Sequence, residues 1–354
     1  MFNPAVFVSV LFIASLFDGS AAAGARVRDN ARRSRYVARK ADAEEGKSWK
    51  QIDRYQGDNF LDEWKFFDED DPTHGMVNYQ NVEAAKSKGL AVVKHGQLIL
   101  SVDDTTQLPP KMKRDSVRIS TKKTYNGGLF IADFAAMPVG CSVWPAWWSV
   151  GPNWPQGGEI DILEGVHNQE TNQYTLHTGA GCSLDSSVKA TGRVLGTTCA
   201  SSGKDNTGCA FMDTDTRSYG RGFNGVGGGV FAHLWDSAGI KIWHFARNEI
   251  PQDIQDGHPT PAAWPSPAAS FATSACDVRK HFHDHALTID TTLCGDWAGA
   301  TYKSAGCPGT CAEAVADPKN FVGESLVFQL CGENQAKKNT AEAKWKINYI
   351  SVYQ

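Results

Sequence analysis

The sequence lacks a basic stripe, a zinc-type cluster of ligands and an internal apolar segment of membrane length. Its 354 residues carry 35 Lys and Arg against 39 Asp and Glu, for a formal net charge of −4. Proteins that bind nucleic acid concentrate positive charge on one face, so this balance argues against a nucleic-acid partner. His, Cys and Asp do not recur at zinc-site spacing. We therefore assign no metal ligand and expect no cofactor to be required.

The body of the chain also lacks Asn-X-Ser/Thr sequons, internal repeats, Pro/Ser-rich linkers and long amphipathic helical patterns. It has instead 34 glycines, and strand-like alternation at 117–119, 129–131, 240–245 and 347–353. These features predict a single all-β sandwich with long loops over residues 51–354. We expect this domain to be a monomer.

The N-terminus predicts secretion. Residues 5–17 form an apolar run of signal-peptide length, and Ala21, Ala22 and Ala23 offer small residues for cleavage, so residues 1–23 are assigned as a signal peptide. The run is short for a membrane span, and no membrane contact is expected in the mature protein; an uncleaved anchor is the alternative. Residues 24–50 are basic and polar and are assigned as a propeptide or disordered tail. The protein is expected outside the cell or at the cell wall.

The chain contains nine cysteines. In a secreted protein these predict disulfides formed in an oxidising compartment. Nine is odd, so one cysteine is left over, and the other eight allow about a hundred pairings, which remain open.

Three carboxyl groups lie close together in the run Glu159–Glu164, which reads as one strand. Strict alternation places Glu159 and Asp161 on one face, but it would bury Glu164 beside the isoleucines on the other, at a high cost in free energy. One extra residue at Ile162-Leu163, a β-bulge, returns Glu164 to the acidic face, and bulges are common beside active sites. A bulged strand is therefore predicted.

Two glutamates that flank one bond are what glycoside hydrolysis requires. One carboxylate attacks the sugar or activates water, and one carboxylic acid protonates the leaving oxygen. Asp161 between them adds charge, and crowded carboxyl groups have pKa values that are pushed apart. Two alternatives stay open on the pattern alone: a solvated acidic face, or a calcium site built from oxygen ligands.

Aromatic residues and a histidine surround the acidic run. Four tryptophans lie within residues 144–154, and alternation places Trp147 and Trp148 on opposite faces, so at least one is expected in the same cleft as the acids. His177 lies on a predicted neighbouring strand at 173–178 and matters for function only if it reaches that cleft. His281, His283 and His285 have no nearby carboxylate pattern and are expected at the surface.

The stretch Gly-Glu-Ile-Asp-Ile-Leu-Glu-Gly at 158–165, with 144–148 before it and 174–178 after it, resembles glycoside hydrolase family 16. Within that family the chain is most similar to the fungal laminarinase-like endo-β-1,3(4)-glucanases. The resemblance runs from about Tyr55 to Gln354, through segments at 71–75, 116–119, 227–230, 294–299 and 345–348.

The resemblance implies a concanavalin-like β-jelly-roll sandwich with a concave substrate cleft and a retaining mechanism acting on β-1,3-glucan and mixed-linkage β-1,3/1,4-glucan. It implies Glu159 as nucleophile, Glu164 as acid/base and Asp161 as the residue that orients and tunes them. Further residues match sugar-binding positions of the family: Trp147, Trp154, His177, Trp297 and, less directly, Arg118. A cell-wall transglycosylase and a non-catalytic glucan-binding lectin are the rival functions. A structural calcium ion stays an alternative without assigned ligands.

One departure from the family lies near the C-terminus. The relatives lead one to expect a Phe soon before the final Trp-X-Ile-Asn strand, but here Phe321 and the Ala-Glu-Ala at 341–343 are separated by residues 322–340. This segment contains Cys331, the odd cysteine. It is either a tolerated surface loop or translated intron sequence, and the sequence leaves both readings open.

Overall fold

The computed structural model of the protein describes residues 48–354 except 186, 204 and 322–341. The predicted signal peptide, all but the last residues of the 24–50 tail and the 322–340 insert lie outside the described residues. The chain divides after Ser48, and the unit Trp49–Gln354 holds the sheets and the cleft. Among the described residues, no helix has the length and apolar character needed to cross a membrane.

Eighteen strands form within the described residues, and each of the four segments in which alternation predicted a strand overlaps one of them, although Val117 lies between β6 and β7. In chain order they are β1 (Gln51–Gln56), β2 (Trp64–Phe66), β3 (Val77–Tyr79), β4 (Ala91–Lys94), β5 (Gln97–Ser101), β6 (Arg114–Ser116), β7 (Arg118–Thr121), β8 (Gly128–Ala136), β9 (Val143–Val150), β10 (Glu159–Glu164), β11 (Gln173–His177), β12 (Arg193–Gly196), β13 (Cys209–Met212), β14 (Gly229–Asp236), β15 (Gly239–Ala246), β16 (Ala269–Ala272), β17 (Ala286–Leu293) and β18 (Lys344–Tyr353).

The α-helices of the described residues are short, with six residues at most. They are α1 (Val82–Ser87), α2 (Gly220–Gly225), α3 (Gln252–Gln255), α4 (Val278–His281) and α5 (Cys311–Ala316). Three 3₁₀ turns, Gly57–Glu63, Pro261–Ala263 and Pro318–Asn320, and one π-helical turn, Gly295–Gly299, complete the helical content.

Two sheets of eight strands each form a sandwich. Sheet A has the order β16-β15-β14-β8-β18-β5-β4, with β1 also paired to β18, and sheet B has the order β12-β13-β11-β10-β9-β17-β7-β2. The strand pairs of both sheets are antiparallel, and β3 and β6 form a separate parallel pair. The predicted all-β jelly-roll sandwich is confirmed.

The main core fills the space between the two sheets. Phe130, Phe134 and Phe231 of sheet A pack in one buried cluster with Trp147 and Ile160 of sheet B. A second buried cluster covers the outer face of sheet A, so β8 is buried on both faces and shows a continuous apolar run instead of alternation. The outer face of sheet B is therefore the face left for a cleft.

Four disulfides are formed, as predicted, and they use every cysteine except Cys331, which lies outside the described residues. The pairs are Cys141–Cys307, Cys182–Cys276, Cys199–Cys209 and Cys294–Cys311. Two of them hold the segment after β17, and a third closes the loop between β12 and β13. These crosslinks limit the movement of two loops that border the outer face of sheet B.

The surface assignment of the alternating histidines is wrong for two of the three. His281 is 5% exposed and His285 is 1% exposed. His285 pairs through Nδ1 with Ser149 Oγ at 2.9 Å and through Nε2 with the Gly157 carbonyl oxygen at 2.9 Å. Both ring nitrogens therefore find partners that are distant in sequence, which is what allows the imidazole to be buried.

Candidate active site

The acidic strand β10 lies inside sheet B, between β9 and β11. Glu159 pairs with His177, Asp161 with Thr175 and Glu164 with Gln173 across to β11, and the register shifts between Asp161 and Glu164. Two residues of β10 thus oppose one residue of β11, which is a β-bulge. The bulge predicted at Ile162-Leu163 is confirmed, and both of those side chains are fully buried.

The entry to this strand requires glycine. Gly158, directly before Glu159, has φ +81°, and a Cβ at this position would lie 2.4 Å from the His281 carbonyl oxygen. A side chain would be strained by the backbone angle and excluded by that contact. Gly158 therefore lets the strand start close to the C-terminal end of α4, where His281 lies.

All three acids face an open cleft with a volume of about 920 Å³ on the outer face of sheet B. The cleft crosses the sheet from Leu195 on β12 to Arg118 on β7, so it extends on both sides of β10. The structure brings into it all but one of the predicted site residues: Glu159, Asp161, Glu164, Trp154, His177, Trp297 and Arg118.

Trp147 is the exception, and its assignment as a sugar-binding residue is wrong. Its side chain is fully buried, and its ring lies 6.1 Å from that of Phe134 inside the sandwich. Trp148 lines the cleft instead, because it pairs directly with Asp161 and residues paired across strands share a face. Alternation predicted that one of the two tryptophans faces the cleft, but choosing between them requires the register of β9 against β10.

Trp144 and Trp148 are cleft residues that sequence reasoning did not assign, and each donates a hydrogen bond from its indole N–H group to a carboxyl group. Trp144 Nε1 donates to Glu164 Oε1 at 3.0 Å, and Trp148 Nε1 donates to Asp290 Oδ2 at 3.0 Å. Trp144 also packs edge-on against Trp297, with ring centroids 5.6 Å apart. Trp144 and Trp148 are four residues apart on β9, and residues separated by an even number of positions in a strand share a face. Once one of them is known to face the cleft, the other is therefore expected there too.

His177 reaches the acids, as the resemblance implied. Its Nε2 lies 3.4 Å from Asp161 Oδ2 and 3.8 Å from Glu159 Oε1, and its Nδ1 lies 2.8 Å from Ser201 Oγ. Burial lowers the pKa of His177 to about 4, so the imidazole is neutral near pH 7. When Ser201 donates to Nδ1, the Nε2–H group faces the carboxyl groups as a hydrogen-bond donor.

Burial raises the pKa of all three acids. The pKa of Glu159 is raised to about 8, first by burial and then by the charge of Glu164, and burial raises that of Glu164 to about 7. Burial and both glutamates raise the pKa of Asp161 well above its usual value. The three carboxyl groups therefore cannot all be ionised at neutral pH.

Asp290 and Arg118 form a pair of opposite charges in the cleft, beside the three acids. Asp290 has a pKa raised to about 6, mainly by burial and against the opposing charge of Arg118. The Arg118 guanidinium lies over the rings of Phe67 and Trp148, 4.7 and 4.9 Å from their centroids. Its positive charge also lowers the pKa of Glu159. Arg118 therefore forms part of the wall of the cleft, and its positive charge favours the ionised forms of Glu159 and Asp290.

Glu159, Asp161 and His177 present three ligand atoms within 4.8 Å of one another. A calcium site takes about six to eight oxygen ligands, and this group offers two carboxyl groups and one imidazole nitrogen. Among the described residues, this group therefore has too few oxygen ligands for a calcium site. It is better described as two carboxyl groups beside a neutral hydrogen-bond donor.

Fold and site together define a β-sandwich of the glycoside hydrolase class, with carboxyl groups on one strand facing an open, tryptophan-lined cleft. The family model of the XgeA-like catalytic domain of glycoside hydrolase family 16 matches residues 64–353. The chain therefore belongs to glycoside hydrolase family 16.

Named relatives agree with this family. A probable endo-1,3(4)-beta-glucanase of Aspergillus flavus is 42% identical over 312 residues, which cover 87% of this chain and 45% of that protein. A probable glycosidase of Schizosaccharomyces pombe is 39% identical, with 87% and 70% covered. The chain thus spans less than half the length of the Aspergillus relative.

Solved structures show the same fold. Laminarinase 16A from Phanerochaete chrysosporium, which was solved with beta-glucans in its donor and acceptor sites, is 37% identical with a TM-score of 0.78. An elongating family 16 beta-1,3-glucosyltransferase is 37% identical with a TM-score of 0.77. The Phanerochaete match covers 87% of this chain and all of that chain.

Proposed function

We propose that this protein hydrolyses internal bonds of β-1,3-glucan, with mixed-linkage β-1,3/1,4-glucan as a second substrate, by a retaining mechanism. The observation that carries the proposal is the bulged strand that presents Glu159, Asp161 and Glu164 together in the cleft. The cleft extends on both sides of these acids, which suits attack within a long chain. The glucanase names of the relatives support the substrate class.

Glu159 acts as the nucleophile and Glu164 as the acid/base. In the first step the Glu159 carboxylate forms a bond to the anomeric carbon while Glu164 gives its proton to the departing glycosidic oxygen. In the second step Glu164 takes a proton from water, the water oxygen attacks the anomeric carbon, and the bond to Glu159 breaks. The configuration at the anomeric carbon is retained because it is inverted twice.

These roles require Glu159 ionised and Glu164 protonated. The individual pKa values, about 8 and about 7, have the opposite order. The three acids titrate as a coupled group, and we place the retained protons on Asp161 and Glu164. A protonated Asp161 places a neutral carboxyl group within 4.8 Å of the Glu159 carboxyl oxygen, so that no second anion there opposes the ionisation of Glu159. Asp161 then tunes the nucleophile by staying neutral.

Transglycosylation is the second candidate, and the similarity to an elongating β-1,3-glucosyltransferase favours it. It uses the same first step, and a sugar hydroxyl replaces water in the second. A lectin function is less consistent with the site, because a binding surface gains little from three carboxyl groups that repel one another.

We further propose that the protein is secreted, that it acts as a monomer and that turnover needs no metal. The four disulfides support secretion, because such bonds persist in oxidising compartments. Dialysis against EDTA is then expected to leave the rate of glucan cleavage unchanged. A loss of activity that calcium restores would contradict the metal-free mechanism.

Product sizing tests the proposed function. Laminarin and lichenan incubated with the secreted protein are expected to yield short oligosaccharides with retained anomeric configuration, and cellulose is expected to stay intact. When laminari-oligosaccharides are the substrate, products longer than the starting oligosaccharides would establish the transglycosylase instead. Binding to laminarin with no products would leave only the lectin.

The pH dependence of the reaction depends on Glu164. Its pKa of about 7 means that kcat/KM should fall as pH rises through about 7, because the first step uses the protonated acid. The Trp144 N–H group lowers this pKa, so Trp144→Phe is expected to move the basic limb of the profile to higher pH. Trp243→Phe, which removes an indole hydrogen bond to the Pro265 carbonyl oxygen outside the cleft, is the matched control. A basic limb that stays in place in Trp144→Phe would disprove the role of Glu164 as the acid.

A further inference from the structure

The bulge in β10 interrupts the backbone hydrogen bonds between strands beside Glu164, and one side chain bonds to the backbone groups there. Asn172 Oδ1 accepts a hydrogen bond from the Glu164 backbone N–H at 2.9 Å. Its Nδ2 donates to the Ile162 carbonyl oxygen at 2.9 Å. The two backbone groups belong to the two ends of the irregular stretch, so this amide bridges the bulge.

Asn172 is itself held rigidly. It is fully buried, its backbone N–H donates to Ser218 Oγ at 3.0 Å, and its carbonyl oxygen accepts from the Asp213 N–H at 2.8 Å. Ser218 in turn donates to the Asp215 carbonyl oxygen at 2.6 Å. The amide that bridges the bulge is therefore anchored to the segment after β13 and cannot follow β10 if that strand shifts.

The two contacts require an amide. The Glu164 N–H group needs an acceptor and the Ile162 carbonyl needs a donor, and a side-chain amide carries one of each. An Asp at position 172 keeps the acceptor but brings a carboxyl oxygen against the Ile162 carbonyl. An Ala leaves both backbone groups without their partner, at a cost of about 1–3 kcal/mol for each buried polar group.

We propose that Asn172 is a positioning residue that fixes the bulge and thereby aims the Glu164 carboxyl group into the cleft. The inference rests on the proposed function, since it assigns a purpose to the acid/base. Trp144 Nε1 holds the carboxyl end of Glu164, and Asn172 holds its backbone end. Glu159 lies on the other side of the bulge, in regular pairing with His177, so loss of Asn172 disables Glu164 selectively.

The test compares two substrates that differ in their need for an acid. Laminarin has a poor leaving group and depends on protonation by Glu164. A 2,4-dinitrophenyl β-laminaribioside has a leaving group that departs without a proton, so its first step needs only Glu159. Sodium azide attacks the glycosyl-enzyme without a base and bypasses Glu164 in the second step.

For Asn172→Ala, kcat/KM on laminarin is expected to fall about 100-fold, the loss typical of a catalytic group displaced by about 1 Å. On the aryl glycoside, kcat/KM is expected to fall less than tenfold, because general acid catalysis, worth about 100-fold or more, is not used there. Azide should raise the turnover of the variant on the aryl glycoside and leave that of the wild type unchanged. Asn172→Asp should show the same pattern, and it carries the test if the Ala variant does not fold.

Asn224 supplies the matched control. Its side-chain amide makes the same pair of bonds, accepting from the Met137 N–H and donating to the Met137 carbonyl oxygen, each at 2.9 Å. Met137 follows β8 in sheet A, and Asn224 does not line the cleft. Asn224→Ala should lower the unfolding temperature and leave the ratio of the two activities as in the wild type.

Equal losses on both substrates in the Asn172 variants, or no loss on laminarin, would overturn the positioning role. A change in the activity ratio of Asn224→Ala similar to that of Asn172→Ala would also overturn it, because the effect would then follow stability alone. Failure of the proposed function looks different: the wild-type protein itself would cleave neither laminarin nor the aryl glycoside.

Discussion

Glu159→Gln and Glu164→Gln are each expected to abolish glucan hydrolysis while leaving the fold intact. A neutral amide cannot attack the anomeric carbon, and it cannot give and take the proton that the two steps require. Reducing-sugar release from laminarin should fall by a factor of about 1,000 or more, within the range for loss of a catalytic group. Glu69, an exposed residue outside the cleft, provides the control, and Glu69→Gln should have wild-type activity. Activity above about a tenth of wild type in Glu159→Gln would refute its assignment.

Azide distinguishes the two roles. In Glu164→Ala the glycosyl-enzyme forms slowly on Glu159, and azide should displace it to give a β-linked glycosyl azide. In Glu159→Ala azide occupies the place of the lost carboxylate, and the product should be α-linked. Products of the opposite configuration would mean that nucleophile and acid/base are exchanged.

The amide variants should also gain stability relative to the wild type as pH rises. A buried carboxyl group whose pKa is raised in the folded state favours folding below its unfolded pKa, and this contribution is lost as pH rises through the folded value. Burial raises the pKa of Glu159 to about 8 and that of Glu164 to about 7, and because the three acids titrate as a coupled group, each Gln variant removes one raised pKa from that group. Thermal unfolding between pH 5 and pH 9 should therefore show the wild type losing stability faster than either Gln variant. Parallel curves would show that the acids are hydrated in the folded protein.

Trp147→Ala is expected to lower stability, whereas Trp148→Ala, at the neighbouring position, is expected to weaken glucan binding. Trp147 is fully buried against Phe134, so its truncation opens a cavity and should lower the free energy of unfolding by about 3–5 kcal/mol. Trp148 faces the cleft, so its truncation should weaken glucan binding by about 1–3 kcal/mol, the range of a well-packed aromatic contact. Chemical denaturation measures the first effect, and titration of laminari-oligosaccharides into the Glu159→Gln background measures the second.

Trp154→Ala and Trp297→Ala extend the comparison to the other predicted sugar platforms. Trp154 is 42% exposed in the cleft, so its removal should affect binding with little effect on unfolding. Destabilisation of about 3 kcal/mol or more in Trp154→Ala would show that Trp154 is a core residue. Weakened glucan binding in a folded Trp147→Ala would show that Trp147 contacts the glucan.

The bulge in β10 shows what local reasoning can predict about this site. A glutamate at 164 in a strictly alternating strand would be buried without a partner, and an extra residue removes that cost. All the information for that prediction lies within six consecutive residues. The residue that holds the bulge, Asn172, was not predictable in this way, because its partners are two backbone groups whose direction is set only when β10 and β11 pair.

The buried histidines illustrate the same limit. Sequence reasoning placed His281 and His285 at the surface because no partner lay near them in the chain. His285 is buried because Ser149 and the Gly157 carbonyl meet it from two other parts of the chain. Whether a polar side chain can be buried depends on such partners, and sequence distance does not reveal them.

The β-sandwich class, the presence of disulfides and the three acids on one bulged strand could all be predicted from the sequence. These properties follow from alternation, composition and the cost of burying charge, all of which are local. The folded structure was needed to show which tryptophan faces the cleft, which cysteines pair and what holds Glu164 in place. Those features depend on the register between strands, and a shift of one residue in that register exchanges the two faces of every strand.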